Sequence, residues 1–151
     1  VTTIRRQIFI SCPPNTVFDV LADIERLGEF SHMTVGITHG PGRPLAVGDR
    51  FEQVVKVLHV DLETEWEVTK IVDGESIRVD GRSKANGSAT ITQHVAAQDA
   101  GSLVTFEIEY EPPWGILGDV ADKLVFEKRH EEDAEKILAG LKALCEGVVA
   151  G

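Results

Sequence analysis

The sequence predicts an α+β fold, an antiparallel sheet covered on one side by a long C-terminal helix. The order of elements points there first: strand, two short helices, a run of strands and one long helix form the pattern of a sheet covered on one face. Within the run of strands, Asp61, Glu63, Glu65 and Glu67 alternate with Leu62, Thr64, Trp66 and Val68, the period of a strand with one wet and one buried face. At the C-terminal end, Ile116, Leu117, Val120, Leu124, Ala134, Leu138, Leu141 and Cys145 fall on one broad face of a helix running from Pro112 to Cys145, given about 3.6 residues per turn.

Thr2 to Ser11 is rich in β-branched residues and reads as the first strand, stopped by Pro13 and Pro14. A helix starts there, with Ser11 or Cys12 at the cap, proline in its first turn and Val17, Phe18, Val20, Leu21 and Ile24 as its apolar face. Asp23 reads as a second cap, opening a short segment from Ile24 to Phe30 that ends near Gly28. Met33 to Thr38 reads as a strand, and His39-Gly40-Pro41-Gly42-Arg43-Pro44 as a loop. Asp73-Gly74, Asn86-Gly87 and Asp99-Ala100-Gly101 then mark consecutive hairpins. They imply strands over Arg50 to Leu58, Asp61 to Val72, Ser76 to Arg82, Ser88 to Ala97 and Ser102 to Glu111. Leu58-His59-Val60 has no turn residue, so one long bent strand and a hairpin both stay open there. In the last strand Val104, Phe106, Ile108 and Tyr110 share the face expected to meet the helix.

The 151 residues are read as a single domain, 1–151, large enough to bury a core without staples. A net charge of −10, from 25 acids against 15 bases, repels nucleic-acid backbones and anionic lipid. Cys12 and Cys145 are far apart in sequence and suggest two inert thiols in a reducing compartment. No stretch has membrane-spanning length and Val1 to Ile10 lacks an apolar signal region. A soluble cytoplasmic protein is therefore expected, with no nucleic-acid partner and no membrane insertion; homodimerisation is left open.

Two stretches carry a family resemblance. One is Pro13-Pro14-Asn15-Thr16-Val17-Phe18-Asp19-Val20-Leu21-Ala22-Asp23-Ile24-Glu25-Arg26 after the first strand; the other is Glu109-Tyr110-Glu111-Pro112-Pro113-Trp114-Gly115 followed by the helix with Phe126-Glu127-Lys128-Arg129-His130. Together with the order of elements they resemble the START-like (SRPBCC) superfamily of polyketide cyclase/dehydrase and lipid transport proteins, over nearly the whole chain. Phe30 departs from the tryptophan common at the end of the second short helix. The resemblance implies a helix-grip fold, in which a curved antiparallel sheet wraps around the long C-terminal helix and encloses a cavity that often takes an apolar small molecule. Fold alone does not fix function.

Glu127 interrupts the apolar stripe of the helix, Glu131 sits beside it one turn later and His130 lies at its edge. On the implied fold the middle of this helix roofs the cavity. A buried carboxylate needs a partner, water or a cavity, so these residues are candidates for a ligand anchor or for a general acid/base whose pKa burial has raised. The plainer alternative is an ion-pair face with Lys123 and Lys128. Trp66 and Tyr110 suit the wall of a mixed apolar pocket or an ordinary core. Leu62, Thr64, Phe106, Ile108, Val120 and Leu124 share their inward faces and complete the expected ligand-binding set. His94 is a third acid/base candidate if the row Thr90, Thr92, His94 faces inward, but the apolar pair Ile91 and Val95 favours an outward row.

No cofactor is implied. The five histidines lack metal-ligand spacing, so no metal is expected, and Gly40-Pro41-Gly42 lacks the spacing of a phosphate loop. The first expectation is a binding or carrier protein for a hydrophobic small molecule such as a lipid, isoprenoid, quinone or polyketide. A cavity of roughly several hundred Å³ would serve it. The rivals are a cyclase or dehydratase using Glu127, His130 or His94, and a helper that binds a protein partner through the Trp114 end or the acidic strand face.

Overall fold

The structure, a computed structural model, describes residues 2–38, 40–57, 60–83, 87–111 and 123–147, with 35, 57, 60 and 123–127 as backbone. Along these residues run β1 (Thr2–Ile10), α1 (Pro14–Ala22), a 3-10 turn (Ile24–Arg26), α2 (Leu27–Phe30), β2 (Thr34–Thr38), β3 (Arg50–Val57), β4 (Val60–Val72), β5 (Ser76–Ser83), β6 (Ser88–Gln98), β7 (Gly101–Glu111) and α3 (Lys123–Cys145). The strands form one sheet in the order β1-β7-β6-β5-β4-β3-β2, and every neighbouring pair is antiparallel. β1 closes one edge beside β7 while the two short helices carry the chain across to β2 at the other edge. With α3 laid against it, this is the expected α+β helix-grip fold.

Two local expectations are corrected, and one alternative left open is decided. Pro13, not Ser11 or Cys12, stands at the N-cap of α1, with no side-chain cap hydrogen bond; Pro14 needs no N–H donor in the first turn. The segment after Asp23 runs past Gly28 to Phe30, because burial of the Phe30 ring outweighs the local preference of a glycine. Of the two readings left open, β3 and β4 follow the hairpin rather than one bent strand, pairing antiparallel up to Val57 opposite Val60. Ile116, Leu117, Val120 and Trp114 lie outside the described residues.

The alternation of β4 places Leu62, Thr64, Trp66 and Val68 inside, while Asp61, Glu63 and Glu65 are exposed. On α3, Ala134, Leu138 and Leu141 are buried at helical spacing and the helix packs on β1 and α2. Fully burying each leucine contributes about 1.5–3 kcal/mol. Gly140 makes the contact with α2 close: a Cβ there would collide with the Phe30 carbonyl oxygen.

Polar contacts fix the register of α3 on the sheet. Arg6 reaches from β1 to Glu131 at 3.4 Å and Glu135 at 3.2 Å. Lys142 donates to the Phe9 carbonyl at 3.0 Å and to Glu146 at 2.6 Å, and Glu146 also accepts from the Ser11 N–H at 2.8 Å. The Cys12 thiol donates to the Cys145 carbonyl at 2.9 Å, so cysteines remote in sequence are neighbours in the fold. Both are free, and burial pushes the Cys145 thiol up to about 11, which keeps it protonated and unreactive.

Candidate functional site

Between the inner sheet face, α2 and α3 lies an apolar pocket of about 200 Å³. That is smaller than the sequence suggested, yet larger than the roughly 150 Å³ apolar cavity known to admit benzene. Strand pairing builds its floor. Phe51, Trp66, Gly81, Ala89 and Tyr110 are successive cross-strand neighbours over five strands. Parallel to them run Val79, Ile91 and Ile108, and then Ile77, Gln93 and Phe106. His130, Asp133, Ala134 and Ile137, spaced three and four apart on α3 and hence on one helix face, cover the floor. Leu21, Leu27, Phe30 and Leu45 close one end. Leu45 is held there by its N–H, which donates to the Ala22 carbonyl at 2.8 Å, and by a neighbouring clamp of Arg43 on Asp49 at 2.7 and 2.8 Å.

Gly81 is required by this floor. The Trp66 indole lies where a Cβ at position 81 would stand, with ring carbons Cζ3 and Cδ2 at 2.6 and 2.7 Å from it. Gly81→Ala should therefore turn Trp66 and cost about 1–3 kcal/mol through overpacking. A thermal melt with tryptophan fluorescence checks this: an unchanged melting point and emission would refute it.

The structure brings Leu62, Thr64, Trp66, Phe106, Ile108, Tyr110 and His130 together around the pocket. It places Glu131 and His94 elsewhere. Glu131 turns to Arg6 on β1. His94 is exposed on the outer face, because Ile91, Gln93 and Val95 take the inward positions of β6. Glu127 and Leu124 belong to α3, but their side chains, like Val120, lie outside the described residues.

His130 is half-buried in the pocket wall, its ring centroid 4.4 Å from that of Tyr110. Burial lowers its pKa to about 4, against an opposing pull from the negative charge of Asp133. At neutral pH it is an uncharged imidazole, able to donate from one nitrogen and accept at the other.

Asp133, absent from the sequence-derived candidates, is the buried acid of the pocket, 4% exposed. Its Oδ1 lies 2.8 Å from His32 Nε2 and 3.8 Å from Arg129 Nε. The signal was available: Asp133 follows His130 by three residues and precedes Ile137 by four, on one helical face. Two further polar groups were missed as a pair. Trp66 Nε1 and Gln93 Oε1 are buried with no hydrogen-bond partner among the described residues, although both residues border the pocket. Among the described residues no group of three His, Cys, Asp or Glu is placed to hold a metal, and no helix is long and apolar enough to cross a membrane.

The family described as polyketide cyclase / dehydrase and lipid transport matches residues 1–146. No curated protein sequence matches the chain. Solved structures share the architecture at low identity. TTHA0849 from Thermus thermophilus superposes with a TM-score of 0.75 at 19% identity, covering 99% of this chain and 100% of that one. CV1439 from Chromobacterium violaceum gives 0.72 at 20% identity, covering 95% and 97%. The major latex-like protein 151 of Panax ginseng gives 0.70 at 14% identity, covering 94% and 95%. At such identities the likeness concerns the fold.

Proposed function

The chain belongs to the polyketide cyclase / dehydrase and lipid transport family, and from that premise we propose that it binds or carries a hydrophobic small molecule between its sheet and α3. The observation carrying this reading is the pocket itself. Its walls are mainly Leu, Ile, Val and aromatic side chains, interrupted by a few polar groups, the composition of a small-molecule site rather than of a closed core. Burial of apolar ligand surface supplies about 25 cal/mol per Å² before ordering costs.

The test uses the neutral fluorophore N-phenyl-1-naphthylamine, together with native mass spectrometry of protein purified from its own host. Dye fluorescence should rise on binding, and an apolar molecule should co-purify intact. Ile91→Trp, which places an indole in the pocket, should weaken the dye at least about tenfold, or 1.4 kcal/mol. The same thermal melt as wild type would show that the fold is kept, and Val79→Phe repeats the test if it is not. Full-strength dye binding in a folded Ile91→Trp protein would sink the reading.

A second reading, a cyclase or dehydratase on this scaffold, is favoured by the uncharged His130 tilted against Tyr110 in the pocket. In it His130 moves the proton, while His94, on the other side of the sheet, takes no part. Conversion rather than intact return of the co-purified molecule would support it, and turnover unaffected by His130→Phe would end it.

A further inference from the structure

We propose that the ligand is an uncharged molecule with a polar group at each end, one accepting from the Trp66 N–H and the other donating to the Gln93 side chain; this rests on the pocket being a ligand site. Consider charge first. Asp23, Glu111 and Asp133 are the acidic side chains among the described residues bordering the pocket, and no Lys or Arg joins them there. A carboxylate entering it would lose its hydration beside acids of its own sign, and the nearby cation, Arg129, already faces Asp133. The chain's charge of −10 opposes it from a distance as well. An ammonium fares little better, because Asp133 is already engaged by His32 and Arg129. Asp23 is half-buried and Glu111 exposed, leaving no deep counter-charge.

Hydrogen bonding supplies the positive requirement. A buried donor or acceptor without a partner carries a desolvation penalty, and the residues bordering this pocket include a donor and an acceptor that find no partner among the described residues, Trp66 Nε1 and Gln93 Oε1. Their separation follows from the register. Trp66 is level with Ala89 two strands away, and Gln93 lies four residues further along β6, which places the two backbones roughly 16 Å apart on the sheet. The two groups thus stand toward opposite ends of the pocket, with Val79 and Ile91 on the floor between them. A molecule with an apolar middle and a hydroxyl or carbonyl at each end matches this pattern. A single-headed amphiphile leaves one group unpaired.

Displacement of N-phenyl-1-naphthylamine by matched ten-carbon chains tests this. The expected result is that 1-decanol displaces the dye at least tenfold more effectively than decanoate or decylamine. In addition, 1,10-decanediol should equal or exceed 1-decanol, whereas in a plain apolar pocket a second hydroxyl weakens binding. Gln93→Leu, which removes the amide at similar size, should restore the plain order, with 1-decanol ahead of the diol. Decanoate or decylamine binding as well as decanol, or a diol that loses to decanol in the wild type, would overturn the inference while the pocket reading stands. Failure of the dye and of every chain to bind would overturn both.

Discussion

Lowering the pH from 6.5 to 4 should destabilise this protein by about 3 kcal/mol through His130 alone. Unfolded, the imidazole takes up its proton as the pH drops through about 6.5; folded, it does so only near pH 4, because burial disfavours its charged form. Across that interval the unfolded chain therefore holds more protons, and stability falls as the pH falls. Above the interval His130 is neutral in both states and adds no pH dependence. His130→Phe keeps a ring against Tyr110 and removes the titration. Urea denaturation at half-unit pH steps should show the wild-type stability falling between pH 6.5 and 4, with a shallower fall in the variant. Parallel profiles for the two proteins would refute the assignment.

Gly140→Val should cost about 3 kcal/mol, the upper end for overpacking, and lower the melting temperature by roughly 6–12 °C in a chain of this length. The obstacle is backbone: the carbonyl carbon and Cα of Phe30 would lie 3.2 and 3.3 Å from the new Cβ, behind the still closer carbonyl oxygen. A side chain could rotate away, but the last turn of α2 has to lift from α3. Because Phe30 and Leu27 also line the pocket, dye affinity should fall with stability. Ala139→Val, one residue earlier on an exposed position of the same helix, is the control and should stay within about 0.5 kcal/mol of wild type. Equal melting points for the two variants would show that the approach of α2 to α3 is not tight.

Much of the fold was legible because periodicity is a local property. Two-residue alternation in 61–68 and 104–110 showed which side chains turn inward, and the pairing agrees. The same alternation put His94 outside once Ile91 and Val95 were recognised as the apolar pair. The stripe of Ala134, Leu138 and Leu141 likewise marked the packed face of α3. Of the candidate site, Leu62, Thr64, Trp66, Phe106, Ile108, Tyr110 and His130 were named from faces and spacing. Glu131 was misjudged because its partner, Arg6, is 125 residues away along the chain, where helical spacing carries no information. Asp133 shares the helical face of His130 and Ile137, which spacing does show; what spacing does not show is its partner, His32, from the connection after α2.

The sequence by itself determined the types of element, their order and the inward face of each, since these follow from the interaction of every residue with its near neighbours and with water. Only the tertiary structure decided which inward residues meet packing and which meet a void. Gly81 alone reads as a weak point in a strand, yet across the sheet it is the space that Trp66 occupies. Gln93 alone reads as a polar interruption among Ile91 and Val95, yet in the fold its amide oxygen borders a pocket with no partner among the described residues. A cavity is the space that remains when distant elements cannot close upon one another, so the balance of lid, floor and end walls that leaves it open exists only once they are assembled.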